Sequence, residues 1–145
     1  MIIRQADIED ADFMAMVDLE CFTMPWSSDA FRKEIGKNRI AFYVVAEIND
    51  QIVGYMGFWR IENEAHITNV AVLPDYRRRR IGASLIESVM DFAGKDGIKA
   101  YTLEVRMSNQ AAIKLYEGFG FKSEGIRSKY YIDNNEDALI MWKRD

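Results

Sequence analysis

Residues Val70 to Ala83 read VAVLPDYRRRRIGA: a short apolar run, a proline turn, four consecutive arginines, then Ile81-Gly82-Ala83 opening an amphipathic stretch. A strand that turns straight into a helix leaves the first helical N–H groups without partners. Those groups and the positive end of the helix dipole together hold phosphate. The arginines add long-range attraction and forked donors for phosphate oxygens. The chemistry suggested is the binding of a small polyanion such as a polyphosphate; the plainer alternative is a solvated basic turn behind a core strand.

A second group lies further on. Glu104 sits between Leu103 and Val105 in an alternating run, KAYTLEVR, so it faces away from both. It is either a solvent-facing strand glutamate or a carboxylate in a cleft, usable as a general base. Tyr116 follows Asn109 by seven residues, nearly on the same helical side. It is either a core aromatic or a proton donor at a cleft. Asn109 is most economically a helix cap, with an amide that can also bind a ligand. Pro25-Trp26-Ser27 and Tyr130-Tyr131 are aromatic loop elements, lids over the core by default and natural walls for a cleft if one exists.

Elements must hold these residues. Asp7, with Asp10 three residues on, caps a helix whose buried stripe is Ile8, Ala11, Met14, Val17 and Cys21. Pro25 interrupts it, and Ser27 or Ser28 starts a short second helix with Phe31 and Ile35 inside and Gly36 as its stop. Ala41–Ile48 and Ile52–Arg60 form a hairpin through Asn49-Asp50. Gly54 and Gly57 weaken the second strand or let something approach its backbone. A turn at Asn63-Glu64 leads to a third strand, Ala65–Leu73. Ile81–Ala93 is the clearest helix, carrying Ile81, Leu85, Val89 and Phe92 on one stripe. A strand at Lys99–Arg106, a helix carrying Ala112, Ile113, Tyr116 and Phe119, and strands Phe121–Lys129 and Ala138–Lys143 complete the order. The reading is an α/β fold with a mixed sheet and helices on both faces, locally parallel across the Val70–Arg106 crossover.

The 145 residues carry no repeat or linker, so one domain spanning 1–145 is expected. With one cysteine and one histidine, Cys21 and His66, neither a disulfide nor a histidine-rich metal site is expected. Cys21 reads as a small buried hydrophobe rather than a nucleophile. A net charge of −4 disfavours general nucleic-acid binding, so the arginine run suits a small anion better than a long phosphate backbone. No apolar run is long enough to span a membrane, and no signal peptide is evident, so a cytoplasmic location is expected.

Several of these segments together resemble one family. VAVLPDYRRRRIGASLI resembles the acetyl-CoA-binding segment of the GNAT N-acetyltransferases, and LEVRMSNQAAIKLYEGFGF the second half of their fold. With Pro25-Trp26-Ser27, Tyr130-Tyr131 and the EDALIM ending, the chain is most similar to the RimI-type enzymes, which acetylate the N-terminal alanine of a small-subunit ribosomal protein. The resemblance implies a mostly antiparallel sheet of about seven strands, splayed at a bulge. It implies acetyl-CoA as cosubstrate, its pantetheine arm laid along Val70, Ala71 and Val72 and contacted by Asn109. Its pyrophosphate would rest on the backbone of Arg78, Arg79, Arg80, Ile81, Gly82 and Ala83. It implies Glu104 as base, Tyr116 as acid, and a protein N-terminus as partner; Trp26, Tyr130 and Tyr131 are the candidate acceptor walls. Arg80 departs from the pattern, standing where the family has its first glycine. The expectation is a loop that keeps Arg80 right-handed or extended. The rivals are an acetyltransferase for a small amine or protein lysine, and a non-catalytic acyl-CoA-binding module.

Overall fold

Seven strands join in one sheet in the order β1-β2-β3-β4-β5-β7-β6 in a computed structural model that describes all 145 residues. The strands are β1 (Ile2–Gln5), β2 (Ala41–Ile48), β3 (Gln51–Ile61), β4 (Glu64–Val72), β5 (Ala100–Arg106), β6 (Lys122–Tyr131) and β7 (Glu136–Arg144). The helices are α1 (Ala11–Cys21), α2 (Ser28–Gly36), α3 (Ile81–Lys95) and α4 (Gln110–Gly118). None is long and apolar enough to cross a membrane.

Local chemistry accounts for most boundaries. Asn49 and Asp50 both take left-handed φ, 51° and 63°, as a two-residue hairpin turn requires. Ser27 caps α2 by accepting the Ala30 N–H at 3.1 Å. Asp7 and Asp10 form a reciprocal capping box, on a 3-10 turn at Ile8–Asp10 that leads into α1. Three details differ from the sequence reading. Ile8, placed on the buried stripe of the first helix, lies exposed in the 3-10 turn that precedes α1. The second hairpin turns one residue earlier, at Glu62-Asn63, with Glu62 at φ 55°. And β1 was not anticipated: its four residues pair with Val44–Glu47 and form an edge that exists only because β2 is there to template it.

Helices cover both faces. On one side α3 and α4 bury Ile81, Leu85, Val89, Ile113 and Tyr116 against β2–β5 and β7. On the other, α1 and α2 bury Met14, Val17 and Phe31 against Tyr43, Val45, Tyr55 and Ala71 of β2, β3 and β4. All strand pairs are antiparallel except β4 with β5, which run parallel. That parallel seam is short: Glu64–His66 pairs with Ala100–Thr102 and nothing beyond. Past it β4 and β5 diverge, while β5 stays paired with β7 along its whole length.

The divergence begins at a bulge. Phe58 pairs with Ile67 and Gly57 with Asn69, leaving Thr68 as the extra residue of β4. Normal alternation would send Thr68 and Asn69 to opposite faces. The bulge turns both toward α1 and α2, where Thr68 Oγ1 meets Tyr43 Oη at 3.2 Å and Asn69 Nδ2 meets Tyr55 Oη at 3.2 Å.

Candidate active site

The arginine run divides by role. Arg77 turns back, its Nε donating to the Val72 carbonyl at 3.0 Å. Arg78, Arg79 and Arg80 have no carboxylate partner, and Arg79 lies over the Tyr76 ring at 5.1 Å. The expectation for Arg80 is overturned: it is left-handed, at φ 61° and ψ 21°, and Arg78 is left-handed too, at φ 64°. A side chain in that region costs about 1–2 kcal/mol. The conformation has a use: left-handed residues on either side of Arg79 curl the chain into a concave nest of amides. No backbone carbonyl accepts the N–H of Arg78, Arg79 or Arg80. The first helical bond of α3 is Ser84 N–H to Arg80 O, at 3.0 Å, so Ile81, Gly82 and Ala83 also present free amides. These groups fit a phosphate.

Where β4 and β5 part, a cavity of about 570 Å³ opens through the sheet. It is bounded by Ile67–Val70 and Leu103–Arg106, by the α1–α2 connection with Phe22 and Trp26, by Asn109 and Tyr116, and by Tyr130–Asp133. The structure thus brings together Val70, Glu104, Asn109, Tyr116, Trp26, Tyr130 and Tyr131. Ala71 and Val72 are not among its walls. Ala71 is buried under α1, and the Val72 carbonyl is held by Arg77 and by the Cys21 thiol, at 3.3 Å.

Leu103 and Val105 are buried in the α3/α4 core, which turns Glu104 to the opposite side, half-buried and 3.2 Å from Arg127 Nε. Tyr116 enters from the α3/α4 side, its ring set edge-on to Phe121 at 5.6 Å. Its hydroxyl makes no hydrogen bond. Every sealed side-chain polar atom in the molecule is paired, so this one opens to the cavity. Burial pushes its pKa well above the usual tyrosine value, which keeps the proton on. Asn109 caps α4, its Oδ1 accepting the Ala112 N–H at 3.1 Å, and its Nδ2 has no protein partner. Tyr131 lies under the Arg106 guanidinium, 4.0 Å from ring centroid to Cζ. The α1–α2 connection and the β6–β7 loop meet where Thr23 Oγ1 donates to Asp133 Oδ2 at 2.6 Å, and Arg106 pairs with Asp133 at 2.8 Å.

Sequence reasoning missed Asp18, Thr68, Asn69 as a side chain, Arg106 and Asp133, all cavity walls. Asp18 had a signal: it lies four residues after Met14 and seven after Ala11, on the buried stripe of α1. Its carboxylate is 1% exposed. It accepts from Tyr55 Oη at 2.5 Å and from the Trp26 N–H at 3.0 Å. Burial raises its pKa against the pull of those bonds. Cys21 is a half-buried thiol whose pKa burial also raises, a poor nucleophile. His66 stands six residues along β4 from Val72, whose carbonyl the Cys21 thiol meets, roughly 20 Å at strand rise, so Cys21 and His66 form no dyad.

This fold, with an amide nest at α3 and a splayed sheet whose gap holds Glu104 and Tyr116, has known counterparts. The acetyltransferase (GNAT) family profile matches residues 11–121, and the chain belongs to that family. It is an acetyl-CoA-dependent N-acetyltransferase. A relative from Bacillus subtilis (strain 168) is 40% identical over 140 residues, spanning 97% of this chain and 93% of its own. The ribosomal protein bS18-alanine N-acetyltransferase of Escherichia coli (strain K12) is 36% identical, spanning 94% of this chain and 93% of its own. The crystal structure of the Escherichia coli ribosomal-protein-S18-alanine N-acetyltransferase superposes with a TM-score of 0.90 at 32% identity, covering 99% of this chain and 92% of that one.

Proposed function

We propose that this chain transfers an acetyl group from acetyl-CoA to a protein N-terminal α-amine, that of the alanine opening ribosomal protein bS18, by direct attack in a ternary complex. The observation that carries the reading is a cavity open through the sheet, with Tyr116 on the α3/α4 side and Glu104 and Trp26 on the other. Two substrates can then meet from opposite faces. The α-amine end rests on the Escherichia coli relatives, similar over nearly the whole chain.

Each residue has a part in this reading. The amides of Arg78 to Ala83 hold the pyrophosphate of acetyl-CoA, and Arg78 and Arg79 reach its terminal phosphate. The arm lies along Val70, Ala71 and Val72, with Asn109 donating from its free amide. A β4 backbone N–H near Val72 polarises the thioester carbonyl. Glu104 takes a proton from the incoming ammonium, directly or through water, and the amine nitrogen attacks the carbonyl carbon. The tetrahedral intermediate collapses, the C–S bond breaks, and the Tyr116 hydroxyl protonates the departing thiolate. The nitrogen's remaining extra proton returns to Tyr116 by way of solvent, and Glu104 releases its own. Trp26, Tyr130 and Tyr131 wall the acceptor.

A mild base suits an α-amine. With a pKa near 8, about a tenth of it is neutral at pH 7, against roughly one in two thousand for a lysine near 10.4. Mass spectrometry tests the reading. The enzyme and acetyl-CoA are offered a peptide copying the alanine N-terminus of bS18, spermidine, and a lysine peptide. The expected result is one acetyl group on the α-amine of the first alone; modification only of another acceptor overturns it.

A further inference from the structure

Two carboxylates outside the acid–base pair are each joined, through a tyrosine, to one of the bulge side chains. Asp18 Oδ1 accepts from Tyr55 Oη at 2.5 Å, and Tyr55 Oη accepts from Asn69 Nδ2 at 3.2 Å. Glu34 Oε1 accepts from Tyr43 Oη at 2.7 Å, and Tyr43 Oη lies 3.2 Å from Thr68 Oγ1. A phenol has one proton. Each is committed to a carboxylate, so each phenol oxygen can only accept from the bulge residue. Thr68 must therefore donate its hydroxyl hydrogen, and Asn69 must turn its NH₂ to Tyr55. What remains for the cavity, which both residues line, is Thr68 Oγ1 as an acceptor, the Asn69 carbonyl oxygen Oδ1 and the second N–H of the Asn69 amide.

The carboxylates are themselves anchored. Glu34 also accepts from Trp59 Nε1 at 2.7 Å and Asn38 Nδ2 at 2.8 Å, and Asp18 from the Trp26 N–H. Both tyrosines are buried, which keeps their protons on.

We propose that these twin relays turn the β4 bulge into a pair of hydrogen-bond acceptors, Thr68 Oγ1 and Asn69 Oδ1, that bind the N–H groups of the incoming amine. Thr68 and Asn69 are substrate-binding residues. Tyr43, Tyr55, Glu34 and Asp18 are positioning residues that set which way the bulge side chains face. An amine brings only hydrogens to the thioester until it reacts, and its attacking lone pair must stay unbound. A wall of acceptors holds it by the N–H groups and leaves that lone pair aimed across the gap. The proposal rests on acetyl transfer to an amine, and not on which amine.

The test is a double-mutant cycle on whichever of the three acceptors above the wild type acetylates, so a wrong acceptor assignment shows itself first and separately. Thr68→Val and Asn69→Leu each raise the acceptor KM about three- to tenfold, as loss of one hydrogen bond does, and leave the acetyl-CoA KM within about twofold. Tyr55→Phe reproduces the Asn69→Leu effect, and the two combined are no worse than Asn69→Leu alone. Tyr43→Phe and Thr68→Val behave likewise. Effects that multiply, or an acetyl-CoA KM that moves as much as the acceptor KM, overturn the proposal. If the buried tyrosine variants do not fold, Thr68→Val and Asn69→Leu decide alone: an unchanged acceptor KM in both refutes it.

Discussion

The ring of Tyr43 lies on the bare Cα of Gly57. A Cβ added there would sit 2.1 Å from a ring carbon. Gly57 is also the residue that faces Asn69 across the bulge. The glycine thus lets Tyr43 lie flat enough for its hydroxyl to span Glu34 and Thr68.

Gly57→Ala therefore acts at two levels. Overpacking of this kind costs about 1–3 kcal/mol. The displaced ring also releases Thr68. We expect a lower melting temperature by calorimetry and a raised acceptor KM in the protein that remains folded. A variant that melts and turns over like wild type would show that the ring moves aside at no cost.

Glu104→Gln and Tyr116→Phe should each lower kcat by about 10²–10⁴-fold, the usual contribution of a general acid or base. Acetyl-CoA affinity should hardly change. Tyr116→Phe should also leave thermal stability unchanged, because its hydroxyl bonds to nothing in the protein. Glu104→Gln gives up only a half-exposed ion pair with Arg127, worth under about 1 kcal/mol. Wild-type turnover in either variant removes that residue from its role.

Arg80→Gly restores the family glycine at a left-handed position. Relief of about 1–2 kcal/mol of strain is set against about 0.5–1 kcal/mol of extra chain entropy. The expected outcome is an equal or higher melting temperature. The amide is kept, so CoA affinity by calorimetry should fall only modestly, through one lost charge. A large loss would assign the Arg80 side chain a direct phosphate contact.

Acid should weaken the N-terminal ion-pair network. Arg4 bonds both oxygens of Asp10, at 2.8 and 2.9 Å, and holds its carboxyl below the usual aspartate range. A folded-state pKa below the unfolded one contributes stability above the unfolded value, near 3.9, and loses it as pH falls from there toward the depressed value. Asp10→Asn should lower stability at neutral pH and flatten the acid limb of a denaturation series. Parallel curves for the two proteins would place the acid sensitivity elsewhere.

What could be read from the sequence was whatever local rules decide. The Asn49-Asp50 hairpin, the Ser27 and Asn109 caps, and the strand–turn–helix at Val70–Ala83 each follow from a few adjacent residues. Glu104 was legible as a residue opposed to Leu103 and Val105, and the structure puts that opposed side in a cavity rather than in solvent. Arg80 was misread because φ there is set by the curl of the whole arginine loop, whereas residue type argues against a left-handed value. Thr68 and Asn69 were invisible as a pair because strand periodicity assigns them to opposite faces, and only the mismatch with β3 reveals the bulge. Glu34 reads as an ordinary helical acid until the tyrosine of β2 is brought against it.

The short seam between β4 and β5 divides the sheet into two leaves, β1–β4 and β5–β7. On the α3/α4 side one continuous core, including Leu85, Leu103 and Met141, binds the leaves together. On the other side the core beneath α1 and α2 draws on β2, β3 and β4 and takes nothing from β5, β6 or β7. Thr23 with Asp133 is the polar tie there. The molecule is a book glued along one cover. Parting the leaves on the α1/α2 side breaks a polar contact open to water, whereas parting them on the α3/α4 side tears the core that holds both together.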